Sequence, residues 1–182
     1  MTDLKNKLEA LDLSPDRTKE DVGNDIRMRI KEVGFTVVEE DTSRPWGAFF
    51  RLDNKNAERF VEDFFTDLSL EQARLGNRDA ELSPKILLVS PGQRLSWQYH
   101  HHRAELWKFI STGGYHRSLT DEQGDLINSG PGDIVQFQTA ERHRLVGAPN
   151  HYTLVAEIWQ HTDAQQMSDE ADIVRLQDDY KR

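Results

Sequence analysis

The sequence predicts a mainly β protein, a sandwich or small barrel of short antiparallel strands, with N-terminal helices and one helical insert. Beyond residue 85, runs of branched and aromatic residues alternate with turns that contain Gly or Pro, as in antiparallel sheets. Residues 1–40 and 53–84 carry apolar residues at helical spacing instead. The 182 residues can bury one sizeable core, so we expect one domain.

We assign residues 1–43 to a helical extension with a first strand, and residues 44–182 to the barrel. Two apolar stripes of helical period predict the helices of the extension: Leu4, Leu8 and Leu11, then Val22, Ile26, Ile30 and Val33. Gly34 is expected to end the second helix. Residues 35–39 predict the first strand, and a turn at Arg44-Pro-Trp-Gly47 leads to the next strand.

The helical insert spans about residues 53–84. Its apolar residues fall on one face of a helix: Phe60, Val61, Phe64, Phe65 and Leu68. Ser69 and Gln72 have the spacing of a capping box for a further turn, and Gly76 is a natural stop. Two placements are open, because the insert could either roof the barrel mouth or cover the outer face of a sheet.

The strands of the barrel follow at short intervals. We predict them at residues 48–52, 85–89, 94–100, 105–110, 115–119, 126–127, 134–137 and 152–159. Turn signals such as Pro91-Gly92, Gly113-Gly114 and Gly130 to Gly132 separate them. Many short strands with regular turns indicate a sheet closed enough to protect its edges.

Composition excludes several classes of function. The net charge of −9 argues against a nucleic-acid binder, because such proteins present a basic patch or stripe. No run approaches the roughly 18 apolar residues of a membrane span, and the polar N-terminus lacks a secretory signal. With no cysteines there is no disulfide framework, so we expect a cytoplasmic protein. The oligomeric state is open, with a homodimer through strand edges or N-terminal helices as one alternative.

Residues 92–105 predict a metal site. Alternation along a strand puts Gln98 and His100 on one face, and a bend near Arg103-Ala104 would return Glu105 to the same interior. His143, in the segment after Gly132-Asp133, is the fourth candidate ligand. Two imidazoles, an amide and one carboxylate leave a divalent ion with open positions, as Lewis-acid chemistry requires. The competing interpretation is a solvated polar strand with three adjacent histidines.

These motifs resemble a known family. The stretch 91–107, Pro131-Gly-Asp133, His143-Arg-Leu145, the ending 172–180 and Arg44-Pro-Trp-Gly47 are similar to the cupin domain of type II phosphomannose isomerases. That domain often forms the C-terminal half of a bifunctional mannose-1-phosphate guanylyltransferase. The resemblance implies a double-stranded β-helix (jelly-roll) barrel and interconversion of mannose 6-phosphate and fructose 6-phosphate.

The resemblance also implies a ligand set, which matches Gln98, His100, Glu105 and His143, with zinc as the expected metal. Manganese, iron, cobalt and nickel suit the same donors. The sequence departs from the family pattern in the length of the insert, at Leu106 in place of a frequent histidine, and at Gln138 and Gly147 in the second cupin motif. Residues 1–43 contain no glycine-rich phosphate loop, so no nucleotidyl transfer is expected of this chain.

Aldose–ketose isomerisation moves a proton between adjacent carbons through an enediolate, so it needs a base and a charge stabiliser. Lys85 and Glu157 are the candidates for the base, because each lies on a strand expected to line the barrel. Three arginines close to the motifs are candidates for contacts with a substrate phosphate: Arg44, Arg103 and Arg144, with Arg144 also a candidate catalytic group. Trp107 is a candidate sugar platform, against the commoner role of tryptophan in core packing.

Other functions fit the same scaffold. An isomerase or epimerase could act on another sugar, phosphorylated or free. A metal-dependent oxygenase is a further alternative, although Gln98 in place of a third histidine favours the isomerases. A non-catalytic sugar-binding cupin would bind its ligand without exchanging a carbon-bound hydrogen. A small sugar or sugar phosphate is the expected partner in most of these interpretations.

Overall fold

The computed structural model describes residues 3–180. Positions 1–2 of the predicted extension (1–43) and positions 181–182 of the predicted barrel (44–182) lie outside the described residues. Within 3–180, no helix combines the length and apolar character needed to cross a bilayer.

The N-terminal extension forms two capped helices, α1 (Leu4–Glu9) and α2 (Lys19–Glu32). Asp3 and Thr18 are their N-caps, each accepting a hydrogen bond from a backbone N–H in the first helical turn. Beyond α2 the backbone reverses at Gly34, which has a φ of 78°, a conformation that favours glycine. The predicted helices are therefore present, although the first ends before Leu11.

Two antiparallel sheets follow. A six-stranded sheet has the order β1-β2-β3-β10-β5-β8, and a five-stranded sheet has the order β11-β4-β9-β6-β7. The strands are β1 Val37–Asp41, β2 Gly47–Leu52, β3 Lys85–Val89, β4 Trp97–Tyr99, β5 Arg103–Phe109, β6 Gly113–Ser118, β7 Ile127–Ser129, β8 Ile134–Phe137, β9 Arg142–Gly147, β10 Thr153–His161 and β11 Val174–Gln177. The mainly β architecture with N-terminal helices agrees with the prediction.

The central strands of the six-stranded sheet, β3, β5 and β10, are buried on both faces. The inner face of the sheet packs against the second sheet in a core that includes Trp107, Phe109 and Val155 with Leu145. Its outer face packs against the helices in a larger core, to which β3, β5 and β10 contribute the intervening residues. A strand buried on both faces has a continuous run of apolar residues instead of alternating apolar and polar ones, as in residues 86–89.

The insert covers the outer face of the six-stranded sheet, the second of the two predicted placements. It consists of a 3-10 turn (Asn54–Asn56), α3 (Ala57–Phe64) and α4 (Leu70–Ala73). Phe60 and Phe64 are fully buried in the outer core. The predicted capping box of α4 is present, with Ser69 and Gln72 each bonded to the other's backbone.

The structure differs from the predicted elements at three places. The bend lies at His101 and His102, and not near Arg103-Ala104, because β5 already begins at Arg103. Two strands escaped prediction, β9 and β11. Both are rich in charged or polar residues, so their extended conformation depends on pairing with β4 and β6 rather than on composition.

Gly47 fixes the start of β2 against β3. Its φ is 154°, and a Cβ at this position would lie 1.8 Å from the carbonyl oxygen of Leu88. Only glycine allows this approach of the two backbones. The predicted turn therefore places Arg44 and Trp46 at the rim of the inner face.

Replacement of Phe60 by alanine is expected to destabilise the protein by about 3–5 kcal/mol, because it opens a cavity among Phe35, Phe64 and Phe65. Chemical denaturation measures the loss, and M28A on the exposed face of α2 is the control. Metal affinity should stay unchanged in F60A, since the insert covers the face opposite the candidate site. A weaker metal affinity at unchanged stability would contradict this placement.

Candidate metal centre and its cavity

Three segments bring the candidate ligands together at one end of the inner face. β4 pairs with β9 so that Gln98 lies opposite His143. His100 follows β4 directly, and Glu105 lies on β5. His100, Glu105 and His143 are all buried, and their ligand atoms lie within 4.8 Å of one another. Three of the four predicted ligands therefore form a group able to hold a metal ion.

The carboxylate of Glu105 lies between the two imidazoles. Its Oε1 is 3.0 Å from His100 Nε2, and its Oε2 is 3.2 Å from His143 Nε2. Within the described residues, neither Glu105 Oε2 nor His143 Nε2 has a hydrogen-bond partner. Orphaned buried polar atoms are rare in folded proteins, so these two atoms indicate a missing partner.

The hydrogen bonds of the two Nδ1 atoms indicate what kind of partner the Nε2 atoms require. His100 Nδ1 lies 2.5 Å from the carbonyl oxygen of Asp172, and His143 Nδ1 lies 2.9 Å from that of Glu141. Because a carbonyl only accepts, each Nδ1 carries a proton, which leaves a lone pair on each Nε2 of the neutral rings. Two lone pairs then face a carboxylate, which is repulsive unless a cation lies between them. A metal-binding histidine usually donates its other ring N–H to a backbone carbonyl or a carboxylate, which fixes the orientation of the ring.

Electrostatics keep Glu105 ionised and favour the neutral form of His100. Burial lowers the pKa of His100 against the opposing effect of Glu105, so its imidazole stays neutral more readily. Burial raises the pKa of Glu105, but His100 when it carries a second proton and the guanidinium of Arg103 outweigh that effect and hold the pKa well below its usual value. A carboxylate and two neutral imidazoles suit a divalent transition metal.

Gln98 lies beside this group. Its Nε2 is 3.4 Å from His100 Nε2, and its Oε1 accepts a hydrogen bond of 2.6 Å from the hydroxyl of Ser96. A half-turn of the amide would point the oxygen at His100 Nε2, and Ser96 would then accept instead of donating. The fourth predicted ligand is therefore adjacent to His100, with its amide nitrogen facing that ring.

Arg103 holds Glu105 from the side of the cavity. Its Nε donates to Glu105 Oε1 at 3.0 Å, and its Nη1 donates to Ser168 Oγ at 2.8 Å. The guanidinium also stacks on the ring of Trp159, 3.7 Å from the ring centre. The predicted substrate-binding Arg103 lines the cavity, but most of its donors are already engaged by the protein.

An open cavity of about 630 Å³, including its solvent-filled mouth, leads to the centre. The lining includes these polar residues: Arg44, Lys85, Ser96, Gln98, Arg103, Glu105, Glu157, Glu170 and Arg175. The predicted candidates Lys85, Glu157 and Arg44 therefore share one cavity with the candidate ligand Glu105.

Glu157 is the most unusual acid of the cavity. Its carboxylate accepts hydrogen bonds from the indoles of Trp107, at 3.0 Å, and Trp159, at 3.2 Å. Lys85 Nζ lies 3.7 Å from Glu157 Oε1. Burial and the nearby charge of Glu105 raise the pKa of Glu157 to about 7. A carboxyl group with this pKa can both accept and release a proton near neutral pH.

Two predicted site residues do not reach the cavity. Arg144 follows His143 on β9 and projects to the opposite face, where it donates to the carbonyl of Leu95 and pairs with Asp179. Trp107 is almost fully buried beneath the cavity, where it packs against Phe137 and donates to Glu157. Both residues support the fold around the centre, and neither is available to a substrate.

The sequence interpretation missed the wall formed by the C-terminal segment. We call residues 168–180 the strap; it contributes Glu170, Ile173 and Arg175 to the cavity lining. Glu170 Oε1 is 2.9 Å from Lys85 Nζ at the mouth. The 172–180 motif was recognised, but nothing in its residue pattern indicates that it crosses the cavity.

Comparison with known proteins identifies the family. The model of the family described as mannose-6-phosphate isomerase C-terminal matches residues 76–178, more than half of the chain. The chain belongs to this family. The match contains all four candidate ligands and most of the strap. Together with the two antiparallel sheets, this family confirms the predicted cupin barrel.

Several solved structures are similar. The capsular polysaccharide assembling protein CapF from Staphylococcus aureus has 10% identity and a TM-score of 0.49, over 86% of this chain and 36% of that one. A Cupin 2 conserved barrel domain protein from Salinispora arenicola has 23% identity and a TM-score of 0.37, over 45% and 63%. An uncharacterised double-stranded β-helix protein from Klebsiella pneumoniae has 18% identity and a TM-score of 0.39, over 48% and 74%.

The chain spans only about a third of the length of the CapF structure. Among curated protein sequences, no match was found.

The raised pKa of Glu157 predicts a pH dependence of stability in the metal-free protein. Between its ordinary pKa of 4.5 and the folded value of about 7, the folded state binds more protons than the unfolded state. The wild-type free energy of unfolding therefore loses about 3 kcal/mol relative to E157Q as pH rises through this window. Urea denaturation of both proteins at pH 4.5 and pH 8 measures the change. A difference between them that is independent of pH would contradict the shift.

Proposed function

We propose that the protein is a metal-dependent sugar-phosphate aldose–ketose isomerase, with mannose 6-phosphate and fructose 6-phosphate as its substrates. One observation carries the proposal: two imidazole lone pairs converge on the buried carboxylate of Glu105 at the floor of a cavity that also holds an acid with a pKa of about 7. Membership of the mannose-6-phosphate isomerase C-terminal family supports the choice of substrate.

In this proposal His100, Glu105 and His143 hold one divalent ion, and Gln98 supplies a fourth donor through its amide oxygen. Zinc is our proposal for the metal, because nitrogen and oxygen donors in a four-ligand set suit it well. When bound, a divalent ion polarises the substrate carbonyl and stabilises the negative oxygen charge of the enediolate.

Glu157 is our candidate for moving the proton between the two carbons. Its carboxyl group lines the cavity with Glu105, and the indoles of Trp107 and Trp159 hold its two oxygens in place. A base with a pKa near the working pH is the most effective, since it is neither fully protonated nor too weak. Lys85, 3.7 Å away, can donate a hydrogen bond to a substrate oxygen.

Cations at the cavity wall and mouth suit an anionic substrate. Arg44, Lys85 and Arg175 line the cavity, and guanidinium groups recognise phosphate through paired donors. Arg44 forms an ion pair with Asp41 at 2.8 Å, and Lys85 forms one with Glu170. A bound phosphate would therefore replace these carboxylates as the partner of each cation. This surrounding charge favours a sugar phosphate over a free sugar.

The decisive experiment combines metal analysis with a substrate panel. We expect one bound divalent ion per chain, turnover of mannose 6-phosphate in a coupled assay, and exchange of a carbon-bound hydrogen in heavy water. Faster turnover of another aldose or ketose phosphate would reassign the substrate. Binding of a sugar phosphate with neither turnover nor hydrogen exchange would identify a non-catalytic binding protein.

Paired variants separate metal binding from proton transfer. E157Q should keep the metal but lose kcat by about 10²- to 10⁴-fold, because a general acid–base group contributes that much. E105Q should lose the metal together with the activity. E58Q, the same change on the exposed side of α3, should affect neither property. Elemental analysis and steady-state kinetics on the three proteins measure both effects, and full activity in E157Q would remove Glu157 from the mechanism.

Glu170 is expected to compete with an anionic substrate for Lys85. It is 61% exposed on its side chain, whereas Lys85 is almost completely buried. E170Q should therefore lower the KM for the sugar phosphate several-fold and leave kcat nearly unchanged. Steady-state kinetics with E58Q as the matched control tests this. A raised KM would mean that Glu170 binds the substrate itself.

A further inference from the structure

Asp172 connects the strap to the turn that carries His100. Its carboxylate oxygens accept hydrogen bonds from the backbone N–H groups of His101, at 2.8 Å, and His102, at 3.0 Å. Its own carbonyl oxygen lies 2.5 Å from His100 Nδ1. One residue, about seventy positions away in the chain, thus holds both the bend and the tautomer of a candidate ligand.

The same residue fixes the strap from its own side. Ser168 Oγ donates to Asp172 Oδ2 at 2.7 Å, and Ser168 also receives a hydrogen bond from Arg103. Arg103 in turn donates to Glu105, the central ligand. Two routes of direct contact therefore join the strap to the ligands, one through Asp172 to His100 and one through Arg103 to Glu105.

The distal end of the strap is anchored independently. The hydroxyl of Tyr180 donates to the side chain of Gln93 at 2.8 Å, and Asp179 forms ion pairs with Arg94 and Arg144. These contacts lie beyond β11, outside the cavity lining. The strap is thus held at both ends, and between them Arg175 of β11 pairs with the candidate ligand Gln98 of β4.

We propose that Asp172 is a positioning residue that couples docking of the strap to metal binding. With the strap docked, His100 presents its Nε2 lone pair and the bend at residues 101–102 is closed. With the strap undocked, His100 Nδ1 loses its acceptor, and so do two backbone N–H groups. The metal therefore binds the docked state more tightly, and by reciprocity a bound metal holds the strap down.

The coupling gives the strap a role in the site, since the strap also supplies Glu170, Ile173 and Arg175 to the cavity wall. A metal-free protein would have a looser wall, and loading would assemble the substrate cavity and the centre together. This inference rests on the metal centre of the proposed function but not on its reaction or substrate.

D172N tests the coupling. Asparagine has the same shape, but its amide NH₂ replaces one of the two oxygens that accept from His101 and His102. The dissociation constant for Zn²⁺ or Co²⁺, measured by calorimetry, should rise about 10- to 100-fold, the usual effect of losing an outer partner of a ligand. D163N is the matched control, because Asp163 forms a similar exposed turn with Gln165 and is not part of the cavity lining.

Hydrogen exchange distinguishes coupling from a general loss of structure. In the wild type, saturating Zn²⁺ should slow amide exchange in residues 168–180 at least tenfold, and in D172N this protection should largely disappear. Y180F weakens the distal anchor and leaves Asp172 intact, so its strap should exchange faster without metal and still be protected by metal. Circular dichroism confirms that each variant is folded.

The outcomes separate the two proposals. Equal metal affinity in D172N and D163N, or exchange of the strap that metal does not alter, would overturn the coupling while leaving the metal centre in place. Failure of the wild type to bind any divalent ion would overturn both the coupling and the proposed function.

Discussion

The buried carboxylate of Glu105 between two imidazoles is the constraint on which the rest of the site depends. A carboxylate taken out of water is costly unless charged or polar partners compensate it. Arg103 supplies one such partner, and the two Nε2 atoms become partners when a proton or a shared metal cation lies between them and the carboxylate. The rings cannot turn away, because their Nδ1–H groups are bound to backbone carbonyls. The protein thus preserves an arrangement that is unfavourable without a cation.

The barrel accommodates this arrangement by changing polarity along its inner face. Inward positions of β3 run from Lys85 to Leu87 and Val89, and those of β5 run from Arg103 and Glu105 to Trp107 and Phe109. Their apolar ends form the inner core, and their polar ends form the cavity. Trp107 lies at the boundary and bonds to Glu157. The outer face is mainly apolar, with Lys108 and Gln160 as buried polar residues, and the helices that cover it lie on the side opposite the cavity.

The sequence was informative where local geometry decides the outcome. Period-two alternation and the family motifs predicted His100, Glu105 and His143, and helical spacing predicted α2 and α3. The sequence did not predict features that depend on contacts between segments far apart in the chain. Arg144 was expected near the site because β9 was not recognised as a strand, so the alternation that separates it from His143 was missed. The wall formed by the strap depends on contacts across some seventy residues, which no local pattern records.

The two buried acids of the cavity have opposite net pKa shifts. Glu105 and Glu157 are both removed from water, yet the pKa of Glu105 falls because cationic and imidazole partners surround it, whereas that of Glu157 rises to about 7. The nearest cation to Glu157, Lys85, is closer to Glu170 at 2.9 Å than to Glu157 at 3.7 Å. Glu157 is therefore only partly compensated, at a cost in stability at neutral pH. The same incomplete pairing leaves it basic enough to take up a proton and acidic enough to return it, a trade of stability for reactivity that is typical of catalytic groups.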